Sequence, residues 1–149
     1  SNSKHELDFS IKNKSSLIFD NNEKNSSTHF FSTSIFNIDL NDTFDGELSL
    51  VVQQTSDDDY LKNYNLKSPL ITSNNNLNSK INFDLYSDDL KAEFKMEAYE
   101  NLSLLDSDRY EYIYPSINVV KNFGDFEYGD LNLSSSIINK EYQNFLIHW

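Results

Sequence analysis

Three consecutive carboxylates, Asp57, Asp58 and Asp59, are the densest set of hard oxygen ligands in the chain. Such a triplet could hold Ca²⁺, but dedicated calcium loops space their ligands at alternate positions around a glycine. "SDDDYLKNY" has neither the spacing nor the glycine, so a solvated acidic loop is the favoured reading. A second charged set is ordered differently: Lys91, Glu93, Lys95 and Glu97 alternate with Ala92, Phe94, Met96 and Ala98. Charges two residues apart would line one side of an extended ribbon and either hydrate a passage or touch a polar ligand moving over it. His5, His29 and His148 are scattered and share no metal-ligand spacing. Cysteine is absent, and no nucleophile elbow, phosphate loop or zinc-protease motif occurs. No catalysis, cofactor or metal is expected.

The ribbon itself has to be established. "DLKAEFKMEAYENL" (89–102) is written in helix-favouring letters, but its order is that of a strand. On a helix, Ala92, Phe94, Met96 and Ala98 would point about 200° apart in turn; on a strand they share one face. The alternation recurs. Ile81, Phe83 and Leu85 oppose Lys80, Asn82, Asp84 and Tyr86; Leu48, Leu50 and Val52 oppose Glu47, Ser49 and Gln53. Leu7, Phe9 and Ile11, then Phe36, Ile38 and Leu40, then Leu131, Leu133 and Ile137 repeat it. "RYEYIYPSINVV" (109–120) reads as a strand with mixed faces, where Pro115 predicts a bulge or a weak pairing. The fold class is all-β: an antiparallel up-and-down meander of about seven strands, each about ten residues long, with no long helix.

Tight connections at 40–45, 86–90 and 122–130 alternate with longer polar ones at 20–28, 55–76 and 100–109. A meander then gathers the short turns on one rim and the long loops on the other, as outer-membrane β-barrels do. Phe30, Phe31, Tyr60, Tyr64, Tyr86, Tyr99, Tyr110, Tyr112, Tyr114, Phe123, Phe126 and Tyr128 lie near predicted strand ends. Barrel girdles place aromatics there, and plain strand propensity accounts for them equally well.

The chain has 149 residues, enough for one domain. With 24 Asp+Glu against 12 Lys+Arg, its net charge of -12 argues against nucleic acid as a partner. Aromatics at 14% exclude an acidic disordered tail. No apolar run approaches the ~18 residues of a membrane helix. Ser1 opens no signal peptide, which leaves a cytosolic protein or a piece of a longer chain.

Four motifs, taken in order, resemble the barrel domain of the lipopolysaccharide-assembly (LptD, or OstA/Imp) family of Gram-negative outer membranes, in the style of its alphaproteobacterial members. An acidic-Tyr-Leu loop is matched by Asp58, Asp59, Tyr60 and Leu61. A strand ending Tyr-Glu-x-Leu is matched by Tyr99, Glu100 and Leu102. An Asp-Arg-Tyr loop follows at Asp108, Arg109 and Tyr110, and a Tyr-Pro strand at Tyr114 and Pro115. The resemblance covers roughly residues 45–137. It implies that residues 1–149 are part of one large transmembrane barrel domain, with no complete domain boundary inside. It also implies a conduit that delivers lipopolysaccharide to the outer leaflet. Implied partners are lipopolysaccharide, outer-membrane lipid, an LptE-like plug lipoprotein and periplasmic bridge proteins. Lys91, Glu93, Lys95 and Glu97 would then face the lumen. Ala92, Phe94, Met96, Ala98, Ile81, Phe83 and Leu85 would face lipid, because a charge at mid-membrane on the lipid side costs roughly 2–4 kcal/mol.

Two rivals stay open on the residues alone. One is a small stand-alone outer-membrane barrel, structural or adhesive. It gains from "NFLIHW", where Phe145, Ile147 and Trp149 form an aromatic-terminated strand pattern. The other is a soluble β-sandwich or lipocalin-like binding module, in which the apolar parity would be core.

Overall fold

The computed structural model describes residues 3–15, 24–64, 69–105, 108–126 and 129–142. The pattern of Phe145, Ile147 and Trp149, together with Tyr128 and His148, lies outside these residues. Seven strands follow one another: β1 (Ser3–Ser15), β2 (Lys24–Asp39), β3 (Asp45–Thr55), β4 (Asn76–Tyr86), β5 (Leu90–Asn101), β6 (Tyr110–Phe126) and β7 (Gly129–Tyr142). One short helix, α1 (Tyr60–Tyr64), interrupts the β3–β4 connection. All neighbours pair antiparallel in the order β1-β2-β3-β4-β5-β6-β7. The sheet is an open meander, with β1 and β7 as its edges.

Helix propensity loses over 90–101 because every ladder bond of β5 is made with β4 and β6, and alternation lets both faces be satisfied at once. The strands run 11 to 17 residues, longer than expected. The excess lies at their ends. Residues 24–28, expected as loop, pair with β1 from Thr28↔Ile11 to Lys24↔Ser15, and β6 continues to Phe126 inside an expected turn. Ladder bonds are backbone bonds, so a hairpin can extend through polar sequence after the hydrophobic alternation has stopped.

Side-chain chemistry sets the tight turns. Asn41 Oδ1 accepts from the amides of Thr43 and Phe44, closing the β2–β3 turn. Ser87 Oγ accepts from the Leu90 amide and donates to Asp89 in the β4–β5 turn. The Lys121 ammonium reaches the same Asp89 carboxylate. That contact, ahead of the Ser87 hydroxyl, holds Asp89 below its ordinary value of 3.8. A depressed carboxylate contributes stability that is present above its unfolded pKa and lost as pH falls through the folded one. The protection factors of the Leu90 and Asn122 amides, which close this corner, are expected to fall as pH drops below the usual carboxylate range. In Asp89→Asn that acid-side change should vanish.

Two irregularities bend β6. Tyr114 and Pro115 form an extra-residue bulge between the pairs Lys95↔Ser116 and Glu97↔Ile113, where the sequence predicted one, and the Tyr114–Pro115 peptide is cis. Asn139 Nδ2 donates to the Tyr114 carbonyl and so satisfies the acceptor that the bulge releases from the ladder. A second shift, between Asn122 and Asp125, contains Gly124 at φ 82°, a left-handed conformation that favours glycine. At Gly46 an added Cβ would sit 3.4 Å from the Phe83 ring, so that ring lies across the glycine's face.

The register separates the two parities completely between β3 and β5. Phe36, Leu48, Phe83 and Phe94 are directly aligned across four strands, as are Leu50, Ile81 and Met96 beside them. This apolar face is uncovered: Val52, Ile81, Phe94, Met96, Leu131, Leu133 and Ile137 are all exposed. Serines at 32, 34, 79 and 135 share its parity and thin it locally. The buried core lies elsewhere. Phe31, Tyr60, Leu61, Leu77 and Leu102 form a cluster at the long-loop rim, with Tyr64, Leu70 and Ile71 packed around it.

Candidate functional site: a charged sheet face with a latched loop

The opposite face carries the charges. Lys91, Glu93, Lys95 and Glu97 of β5 sit opposite Tyr86, Asp84, Asn82 and Lys80 of β4. Glu47, Asp84 and Glu93 form a row of three directly opposed carboxylates across β3, β4 and β5. Like charges in opposed positions repel. Here Lys95 lies 3.3 Å from Glu93, and Asn82 donates to Asp84 at 2.6 Å. Two cationic or amide partners do not neutralise three carboxylates, so the row needs contact with water. Ile35, Val51, Ile113, Val120 and Ile138 interrupt the polar pattern without covering it.

The long β3–β4 connection folds over the upper end of this face. Gln53, of the polar parity, donates through Nε2 to the Leu70 carbonyl and accepts from the Asn78 amide. It replaces ladder bonds where the β3–β4 register ends at Val51↔Lys80. Phe31, of the same parity, is 1% exposed beneath Tyr60 and Leu61. Tyr60 is fully buried, and its hydroxyl meets His29 Nδ1 at 3.2 Å. Tyr60→Ala is expected to destabilise the protein by about 3–5 kcal/mol through the cavity it leaves. A denaturant titration, with proteolysis inside 56–75 as a local readout, measures this. Phe31 and Tyr60, grouped with girdle aromatics by sequence, are instead core residues. Tyr86 and Tyr99 have the polar parity, while Phe30, Tyr110 and Tyr112 have the apolar one, and Phe123 lies inside the second β6 irregularity.

The aspartate triplet is consumed by structure. Asp57 accepts through Oδ1 from the Asp59 amide and through its carbonyl from the Tyr60 amide, so it starts α1. Asp59 pairs with Lys62 at 3.5 Å, one turn on. Asp58 faces Arg109: Nη1 donates to Oδ2 at 2.8 Å and Nη2 to Oδ1 at 2.5 Å, a two-pronged contact. Arg109 also donates through Nε to Glu100 at 2.7 Å, and the Tyr110 hydroxyl donates to the same Glu100 oxygen at 3.0 Å. The Asp58 carboxylate, more than Glu100, holds the guanidinium's proton more tightly than usual, against the opposing effect of burial. Among the described residues, no group of three or more His, Asp or Glu side chains is arranged to hold a metal ion.

The motif residues noted by sequence therefore meet in space. Asp58, Glu100, Arg109 and Tyr110 make the polar latch; Tyr60, Leu61 and Leu102 make the apolar plug beside it. Asp108 is exposed at the pocket beside the latch, Tyr99 lies on the polar face, and Pro115 sits in the β6 bulge. Sequence reasoning assigned no site role to Gln53, Leu77 and Asn78. Nothing in their local pattern separates them from ordinary strand residues.

The chain matches no family model, no curated protein and no solved structure.

Proposed function

We propose that this chain is a wall segment of a large outer-membrane β-barrel of the lipopolysaccharide-assembly type, with the charged face toward an aqueous lumen and the apolar face toward lipid. The observation that carries the reading is the two-sided meander: an uncovered apolar face on one side, a row of three opposed carboxylates on the other. A bilayer is the environment that stabilises the first, and a water-filled lumen the second. The rim asymmetry supports it, with the three short connections at one end and the long ones at the other. So does the β3–β4 loop, which folds inward over the polar side. The open edges of β1 and β7 each offer a full row of ladder groups to further strands. A soluble sandwich would need a second layer over Ile81, Phe94 and Met96, and the described residues supply none.

On this reading the partners are lipopolysaccharide, an LptE-like plug lipoprotein and periplasmic bridge proteins, and the protein resides in the outer membrane. It is a conduit, not an enzyme. Photo-reactive side chains at positions 93 and 95 are expected to crosslink lipopolysaccharide in living cells, while one at position 94 captures phospholipid. Silence at 93 and 95, with crosslinks elsewhere in the barrel, would reduce this face to a hydrated wall.

A further inference from the structure

A groove of about 510 Å³ indents the apolar face toward the long-loop rim. That volume falls in the range of small-molecule sites. Its floor is made by two small side chains, Ser79 and Ala98, directly opposed across β4 and β5. Larger ones wall it: Ile81 and Met96 one step toward mid-sheet, Tyr112 and Tyr114 on β6. The hydroxyl of the floor is committed to backbone. Ser79 Oγ accepts from the Gln53 amide at 3.0 Å and donates to the Gln53 carbonyl at 3.3 Å, just past the point where the β3–β4 register ends. Lys80 and Glu97 border the groove, but their parity is that of the opposite face. The groove therefore suits a hydrocarbon chain.

A carboxylate stands level with its floor. Ser79, Ala98, Tyr112 and Glu141 form one row across β4, β5, β6 and β7. Glu141 accepts from the hydroxyl of Tyr114, a residue of the groove wall. The adjacent Lys140 turns to Glu111 on the other face, so among the described residues no cation answers Glu141. A charge of this parity is costly at mid-membrane and tolerable near the interface. Tyrosines favour the same interface, and Tyr110, Tyr112 and Tyr114 follow one another here with ring centroids 6.2 and 6.1 Å apart. An apolar groove with an unanswered carboxylate at its headgroup end complements the two ends of one amphiphile.

We propose, resting on the membrane reading above, that this groove is an outer-wall lipid site for a phospholipid whose head carries a primary ammonium. One acyl chain lies over Ser79 and Ala98, and Glu141 accepts from the ammonium. A glycerol-headed phospholipid has the phosphate charge without the cation and is repelled by the same carboxylate.

The test is photo-crosslinking on the full-length protein folded into phosphatidylcholine vesicles, a host whose quaternary head has no N–H to donate. The vesicles carry a trace of phosphatidylethanolamine or phosphatidylglycerol with a photo-reactive group in the same acyl chain. Labelled peptides are read by mass spectrometry, and heat-modifiable mobility reports folding. The ethanolamine lipid is expected to label the chain around Ala98 and Tyr112 about three- to fivefold more than the glycerol lipid, the scale of one exposed ion pair. Glu141→Gln should remove this preference and Glu141→Lys should invert it. Glu141 is an exposed edge-strand residue, so both variants are expected to fold. Ala98→Leu fills the floor and should lower labelling by both lipids to the level around Ala92, on the same face outside the groove. If Ala98→Leu misfolds, the two Glu141 variants decide alone. Equal labelling by the two lipids, an unchanged preference in Glu141→Lys, or labelling around Ala98 no stronger than around Ala92 overturns the lipid site and leaves the membrane wall standing. Failure to enter vesicles of any composition overturns both.

Discussion

Arg109→Ala is expected to release the β3–β4 loop from the rim and to destabilise the protein by about 2–3 kcal/mol. The arginine side chain is 12% exposed and touches two carboxylates; Asp58 is 48% exposed and Glu100 22%. Removing the cation therefore leaves Glu100 as a largely buried, uncompensated charge, while Asp58 can rehydrate. Most of the cost should come from Glu100, so Glu100→Gln is expected to recover more stability in the Arg109→Ala background than Asp58→Asn does. Arg109→Lys keeps the charge but loses the two-pronged geometry, and should recover only part of the loss. Thermal unfolding gives the energy, and protease cleavage within 56–75 reports loop release. Wild-type resistance to proteolysis in Arg109→Ala would mean that the Tyr60–Leu61 plug holds the loop without the latch.

A pair of substitutions on adjacent residues separates the bilayer from the water reading. Phe94→Arg places a charge on the uncovered apolar face, between Phe83 and Ile117; Glu93→Arg places the same charge one residue away on the carboxylate row. If the apolar face meets lipid, Phe94→Arg should cost roughly 2–4 kcal/mol of folding stability in a bilayer. Glu93→Arg should be neutral or slightly stabilising, because it relieves repulsion from Asp84. Heat-modifiable gel mobility after folding into lipid vesicles measures both. Equal tolerance of the two would count against a lipid-facing role for Phe94, and equal damage would point to a covering layer on the polar side as well.

Most of the strand architecture was legible in the chain because period-two alternation is a local property. Lys91-Ala92-Glu93-Phe94 reads as two-faced without reference to any other strand, and that reading outweighed the helix preference of its letters. Turn positions were legible for the same reason: Asn41 and Ser87 act on amides within three residues. Strand ends were not legible, since backbone pairing continues through polar residues 24–28 with no side-chain signal.

The fate of the aspartate triplet shows where local reading stops. Asp57, Asp58 and Asp59 are equivalent letters in sequence, yet one starts a helix, one binds an arginine 51 residues away and one pairs with a lysine a turn along. Only the second depends on tertiary structure, because its partner arrives on another connection. Phe31 and Tyr60 likewise look like rim aromatics until the loop folds onto the sheet and buries them. By itself the sequence determined an all-β meander, its two faces and its two rims, since alternation and turn chemistry act over a few residues. The latch, the plug and the pocket beside the latch were decided by the tertiary structure, which alone brings the β3–β4 and β5–β6 connections together at the long-loop rim.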